Sequence, residues 1–212
     1  MTGFVPCCDL SARGHRPRPG WRSWPDQELD HLAELLDRNG VRCWVMGGWG
    51  VDALLGRVTR EHKDLDLLAL LTDLPRYANI VQQHGFDRKL EWGENQPIDV
   101  DGLHFDSAFV DAHPNGREID VHVVDVDPRG VVIQFHTDPW RLPRDAISGS
   151  GAIEGATVRC VTRAAQIAMH SGYDLPEKHR EDVRLLQAGG SLRSPAHRLR
   201  AHRGYRTARA AA

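Results

Sequence analysis

Read for the spacing of its apolar positions, the chain divides into alternating helices and strands. Leu29, Leu32, Ala33 and Leu36 recur at helical spacing, with Ser23 and Pro25 opening the helix and Asn39-Gly40 closing it. Val41 to Met46 is a short apolar run and predicts a strand. Trp49 to Leu55 then predicts a short helix, Asp64 to Leu70 a second strand, and Pro75 to His84 a further helix ended by Gly85. Phe86 to Trp92, Leu103 to Val110, Glu118 to Val126 and Val131 to His136 read as strands, with Pro114-Asn115-Gly116 as a hairpin turn. Thr162 caps a helix to His170, and Pro176 starts one that runs to Gln187. The order predicts an α+β (α/β-like) fold: a mixed sheet flanked by helices on one side, followed by a small C-terminal helical unit.

Two of these elements carry chemistry. Met46-Gly47-Gly48-Trp49-Gly50-Val51-Asp52 joins a strand to a helix. Glycines there let the backbone approach a triphosphate, and the helix N-terminus directs its amides and dipole at the negative charge. Soon after comes Arg60-Glu61-His62-Lys63-Asp64-Leu65-Asp66-Leu67. On a strand, Asp64 and Asp66 project from one face about 6.6 Å apart, a workable spacing for ligands sharing divalent cations. Arg117-Glu118-Ile119-Asp120-Val121-His122 alternates polar and apolar residues, so a neighbouring strand can add Asp120 to that pair. Each piece alone has a bland reading, a turn or a solvated strand face. Their ordered combination is what points to a site.

The succession Gly-Gly-Trp-Gly-Val-Asp, Arg-Glu-His-Lys-Asp-Leu-Asp, Ile-Asp-Val-His and His-Ser-Gly-Tyr-Asp-Leu-x-Glu-Lys resembles the small antibiotic nucleotidyltransferases, above all the lincosamide enzymes and their aminoglycoside relatives in the DNA polymerase β-like superfamily. The resemblance runs from about Asp26 to Leu186. It implies transfer of a nucleoside monophosphate, usually from ATP as co-substrate, to a hydroxyl of a small-molecule drug, with magnesium as cofactor and two ions expected. It also implies Asp64, Asp66 and Asp120 as catalytic and metal-binding carboxylates, Asp120 serving as ligand or as general base. Gly47, Gly48, Trp49, Arg60, Lys63 and Lys178 become the nucleotide-binding candidates, with Arg57 as a further cation near the phosphates. Trp49 and Trp92 are candidates for stacking on adenine or the acceptor. The chain departs from the pattern at Gly48-Trp49, where many superfamily members carry a serine, and at His179, where some relatives have aspartate. The corresponding division is a flexible tail (1–22), a nucleotidyltransferase domain (23–140), a C-terminal helical part (141–190) and a basic flexible tail (191–212).

Composition narrows the class without changing it. At 212 residues, 41% hydrophobic and 26% charged, the chain can bury one good core. No apolar run approaches the length of a membrane span and no secretory signal opens the chain, so a cytoplasmic location and no membrane partner are expected. Cys7, Cys8, Cys43 and Cys160 have neither metal-ligand nor framework spacing and are expected to be reduced, the latter two as buried small hydrophobes. The histidines at 104, 113 and 122 lack a close ligand pair, which disfavours zinc. Six arginines and no Asp or Glu follow Ser191, but with Tyr205 as its one aromatic this tail reads as a solvated appendage rather than a nucleic-acid contact.

Two alternatives compete with the drug-modifying reading. The same fold can act on a protein hydroxyl or an RNA terminus, or it can persist as a non-catalytic nucleotide-binding module. Three intact carboxylates argue against the second. Glu91, Glu94, Asp99 and Asp101 would suit a polycationic acceptor, whereas the motif resemblance favours lincosamides.

Overall fold

Helix α1 (Asp26–Arg38) forms because Leu29, Leu32 and Leu36 fall on one stripe, and all three are buried. It ends where expected: Gly40 donates to the Asp37 carbonyl and Val41 to the Leu36 carbonyl, both at 2.9 Å. The computed structural model describes residues 26–89, 96–133, 140–153, 155–170 and 174–189. Ser23, Pro25, Glu91, Trp92, Glu94, His136, both tails and the 171–173 part of the C-terminal motif lie outside the described residues.

The elements that follow are β1 (Cys43–Val45), α2 (Gly47–Leu55), β2 (Leu65–Leu70), α3 (Leu74–Gln83), β3 (Asp87–Lys89), β4 (Pro97–Val100), β5 (Leu103–Asp106), β6 (Ala108–Ala112) and β7 (Glu118–Asp127). After them come β8 (Gly130–Ile133), β9 (Trp140–Leu142), β10 (Gly149–Ile153), β11 (Ala156–Cys160), α4 (Arg163–Met169) and α5 (Glu177–Gly189). The main sheet runs β10-β11-β1-β2-β7-β6-β3, and the far half of β7 continues through β8 into β9. It is mixed: β2 lies parallel to β7 and β1 parallel to β11, while the remaining neighbours are antiparallel.

Three expectations need correction. The run Leu103 to Val110 is not one strand. Ser107 breaks it, so β5 pairs with β4 in a separate hairpin turned at Asp101-Gly102, whereas β6 enters the main sheet. The stretch 141–190 is not helical throughout, because the β10–β11 hairpin belongs to the main sheet and helix begins only at Arg163. Helices also lie on both faces of the sheet. Leu65, Leu67, Ile119, Val121 and Val123 share a cluster with residues of α1 and α3, whereas Leu68, Leu70 and Val124 share a second cluster with Ala165 and Met169 of α4. Central strands that are apolar on both faces require cover on both.

Candidate active site

Alternation along β2 decides where the carboxylates point. Leu65 and Leu67 face the α1 side, so Asp66 between them projects to the other face, together with Leu68 and Leu70. The parallel register sets Asp66 directly opposite Asp120 on β7. Asp64 stands immediately before β2 on the same parity. Two segments some fifty residues apart in sequence thus deliver carboxylates to one end of one sheet face. A cavity of about 830 Å³ under α1, lined in part by Leu65, Leu67, Cys43 and Val158, opens on the opposite face and is separate from them.

The Gly47–Gly48 turn closes over this end. Met46 donates its backbone N–H to the Asp66 carbonyl at 3.0 Å, so the chain leaves β1 beside β2 and enters α2 at once. Gly47 has φ of +59°, and a Cβ built on it would stand 1.9 Å from Asp66 Oδ2. A Cβ on Gly48 would stand 2.1 Å from His62 Nδ1 and 2.8 Å from Arg60 Nη2. Glycine is therefore a steric requirement at both positions, since any side chain would fill the space between the helix N-terminus and the residues beneath it. The Gly47 carbonyl accepts from Gln166 Nε2 at 2.7 Å, which ties the turn to α4.

Burial, reinforced by the charges of Asp64 and then Asp120, holds the Asp66 carboxyl well above the usual carboxylate range, and Lys178 and Arg60 partly oppose the rise. A group in that position favours a cation. Magnesium matches the donor chemistry, because it is usually held by one or two carboxylates together with substrate phosphates and water rather than by an all-protein cage. Among the described residues no three His, Cys, Asp or Glu groups converge so as to hold a metal ion. The strand pairing places Asp66 against Asp120, while Asp64 lies just outside the ladder and has Lys63 Nζ 3.6 Å from its Oδ2.

The other candidates separate. Lys63 bridges Asp64 and Glu118, whose Oε2 is 3.3 Å from Nζ, so its charge is balanced within the loop and the start of β7. Lys178 lies on the first turn of α5 and acts on Asp66 electrostatically. Arg57 is exposed. Trp49 is corrected: its ring is 2% exposed, belongs to the α1-side core and packs 4.7 Å from the His62 ring, so it has no open face on which adenine could stack. His122 is buried with Nε2 3.5 Å from Asp120 Oδ1, beside that carboxylate. Cys43 and Cys160 are free thiols that burial pushes up to about 12 and about 11, inert small hydrophobes in the sheet. No helix among the described residues is long and apolar enough to cross a membrane.

A polar network beneath the turn is only partly legible in the sequence. Asp52, 1% exposed on α2, accepts from Thr59 Oγ1 at 2.5 Å, from Thr59 N at 3.1 Å and from His62 Nε2 at 2.5 Å. Arg60 Nη1 lies 2.9 Å from His62 Nδ1, and Arg60 Nη2 donates to Asp182 Oδ2 of α5 at 2.9 Å. Asp182 is itself 2% exposed. Further along the α4–α5 contact the rings of His170 and His179 meet edge to face at 5.0 Å. Desolvation first, then the neighbouring His170, Lys178 and Arg60, lowers His179 to about 3. Burial likewise lowers His170, whose Nδ1–H donates to the Gln166 carbonyl at 2.7 Å. A buried acid on a short helix with a histidine ten residues on was the available signal for Asp52 and His62. Nothing local marks Asp182 or Gln166.

Comparison with known proteins agrees with this geometry. Residues 28–186 match the family described as aminoglycoside-2''-adenylyltransferase. A lincosamide resistance protein of Staphylococcus haemolyticus is 26% identical over 163 residues, which span 77% of this chain and 94% of that protein. Among solved structures, the lincomycin-bound lincosamide antibiotic adenylyltransferase LnuA superposes with a TM-score of 0.65 at 22% identity, covering 79% of this chain and 99% of that one. ANT(2")-Ia in complex with adenylyl-2"-tobramycin superposes at 0.59, also with 22% identity, covering 77% and 88%. These two likenesses show the fold, that of the polymerase β-like nucleotidyltransferases.

Proposed function

Because the chain belongs to the aminoglycoside-2''-adenylyltransferase family and is a nucleotidyltransferase, we propose that it transfers AMP from ATP to a hydroxyl of a lincosamide or aminoglycoside antibiotic, releasing pyrophosphate. The observation that carries this reading is the parallel register of Asp66 with Asp120 under a turn where only glycine fits. The relatives bound to lincomycin and to adenylylated tobramycin support a small-molecule acceptor.

In this reading the N-terminus of α2 receives the triphosphate on its Gly47–Gly48 amides, with Arg60 and Lys178 adding positive charge. Asp66 and Asp120, with Asp64 beside them, are the residues that would hold magnesium, which when bound supplies charge neutralisation on the phosphates and lowers the barrier to attack. The acceptor oxygen forms a bond to the α-phosphorus as the bond to the β-phosphate oxygen breaks, and the pair leaves with pyrophosphate. Asp120 takes the hydroxyl proton on its carboxylate oxygen. His122 packs against that carboxylate and restrains its orientation.

The test is pyrophosphate release by purified protein with magnesium and ATP against a panel of lincosamides and aminoglycosides, with Asp64→Asn as control. Drug-dependent release that disappears in the variant is the expected result. Release that persists unchanged in the variant would overturn the carboxylate assignment, and absence of release with every drug would move the acceptor class to protein or RNA hydroxyls.

A further inference from the structure

Resting on the reading of the Gly47–Gly48 turn as the triphosphate site, we propose that His62 is a positioning residue: braced by Asp52, it presents Arg60 at once to that turn and to Asp182 of α5, so the nucleotide-binding turn and the C-terminal helix act as one unit.

Proton bookkeeping is the first support. A guanidinium has five N–H donors and no acceptor, so the 2.9 Å contact between Arg60 Nη1 and His62 Nδ1 requires a lone pair on Nδ1. The imidazole proton must then sit on Nε2, where it donates to Asp52 Oδ2 at 2.5 Å. Asp52 needs no cation to satisfy it, because its second oxygen accepts from both the hydroxyl and the amide of Thr59. The chain of contacts therefore has one arrangement of donors, running from Arg60 through His62 to Asp52. The ring is 3% exposed and lies under Trp49, so solvent does not compete for either nitrogen.

Placement is the second. Both His62 Nδ1 and Arg60 Nη2 press against Gly48 closely enough that a Cβ there would overlap them. The floor of the turn is thus made of this pair. The same Nη2 reaches across 122 residues of sequence to Asp182. On α5, Asp182 follows Lys178 by four residues, so the two share one helix face. That face is turned to the carboxylates, since Lys178 and Arg60 are the two cations that act on Asp66. Arg60 is consequently the joint through which α5, and Lys178 with it, is held over the nucleotide end of the site. His62 sets where that joint stands.

The experiment compares His62→Asn, His62→Gln, His62→Ala and Asp182→Asn for MgATP dissociation constant, steady-state kinetics and melting temperature. An asparagine amide oxygen falls near the place of Nδ1 and can accept from Arg60, whereas a glutamine amide nitrogen falls near the place of Nε2 and can donate to Asp52. Expected are a loss of MgATP affinity of at least about tenfold for His62→Ala, His62→Gln and Asp182→Asn, the order of a lost charge-assisted hydrogen bond. His62→Asn retains affinity to within about threefold despite a lowered melting temperature. Long-range nitrogen–proton correlation in the wild type should show the His62 ring protonated on Nε2. Equal impairment of the Asn and Gln variants, affinity that follows melting temperature across the series, or a ring protonated on Nδ1 would each overturn the proposal. If wild type binds MgATP but turns over no drug, the acceptor reading fails and the affinity series still decides the role of His62. If wild type binds no nucleotide, both readings fail.

Discussion

Gly47 offers the sharpest test of the reasoning, because two separable penalties meet at one atom. Alanine at this position would place its Cβ 1.9 Å from Asp66 Oδ2 and 2.6 Å from Cγ, while real Cβ contacts do not fall below 3.0 Å. The carboxylate or the start of α2 must therefore move by about 1 Å. The backbone adds its own cost, since φ of +59° is a left-handed conformation worth roughly 1–2 kcal/mol against a residue with a Cβ. Displacing a reacting group by about 1 Å costs on the order of 100-fold in rate, or about 2.7 kcal/mol. Gly47→Ala should thus lose about 1–2 kcal/mol of stability in urea titration and at least about 100-fold in drug-dependent pyrophosphate release. Gly56 supplies the control. It ends α2 with φ of +68° and has nothing within 4 Å of an added methyl, so Gly56→Ala carries the backbone penalty without the clash. It should lose similar stability and keep its activity. Retention of more than a third of the activity by Gly47→Ala, or an equal loss in Gly56→Ala, would refute the claim that close approach to Asp66 is what the glycine provides.

Other consequences follow from the same contacts. His179 is depressed to about 3 in the fold against an ordinary value near 6.5, so the unfolded chain binds the extra proton; its contribution is intact above pH 6.5 and is lost as pH falls below it, by about 2 kcal/mol at pH 5. Urea titrations at pH 8 and pH 5 should show that loss, and His179→Leu should flatten it; parallel pH slopes in the two proteins would count against the assignment. Arg88 donates to both oxygens of the buried Asp111, at 3.0 and 3.3 Å, with its guanidinium 3.5 Å from the Phe109 ring centroid. Arg88→Ala should cost roughly 3 kcal/mol, and Arg88→Lys should recover little of it because a point charge reproduces neither the fork nor the stacking; a fully stable lysine variant in urea would contradict this. Asp66→Asn should raise the melting temperature of protein stripped of divalent ions, since it removes a half-buried carboxylate crowded by Asp64 and Asp120, and should abolish any gain on adding magnesium. A lowered melting temperature, or a magnesium response like that of the wild type, would show that the crowding is not felt.

The relation between the α5 face and the turn shows how a helix late in the chain reaches the candidate site. Lys178, Asp182 and His179 lie within five residues, and each meets a different part of the site or its support: Asp66, Arg60 and His170. The histidine that stands where some relatives have aspartate is accordingly a packing group between α4 and α5. It is buried against another ring rather than presented to the nucleotide.

Sequence by itself determined the features set within a few residues. The stripe on α1, the Thr162 cap of α4, whose Oγ1 accepts from Ala165 N, and the turn at Pro114-Asn115-Gly116 all depend on local spacing and turn chemistry. The alternation around Asp64, Asp66 and Asp120 likewise determined which side chains share a face, because a strand has a period of two whatever it pairs with. Tertiary structure alone decided what those faces meet. The β10–β11 hairpin joins β1 through a single parallel register, Val45 with Cys160, and no local pattern encodes a partner 115 positions away. Ser107 ends one strand and frees the next to enter another sheet because its neighbours differ on either side. Trp49 looked available for stacking until packing buried it, and nothing local to Arg60 showed that Asp182, distant in sequence, shares its guanidinium. Periodicity fixes the direction of a side chain relative to its own backbone; burial, register and long-range ion pairs are properties of the assembled surfaces.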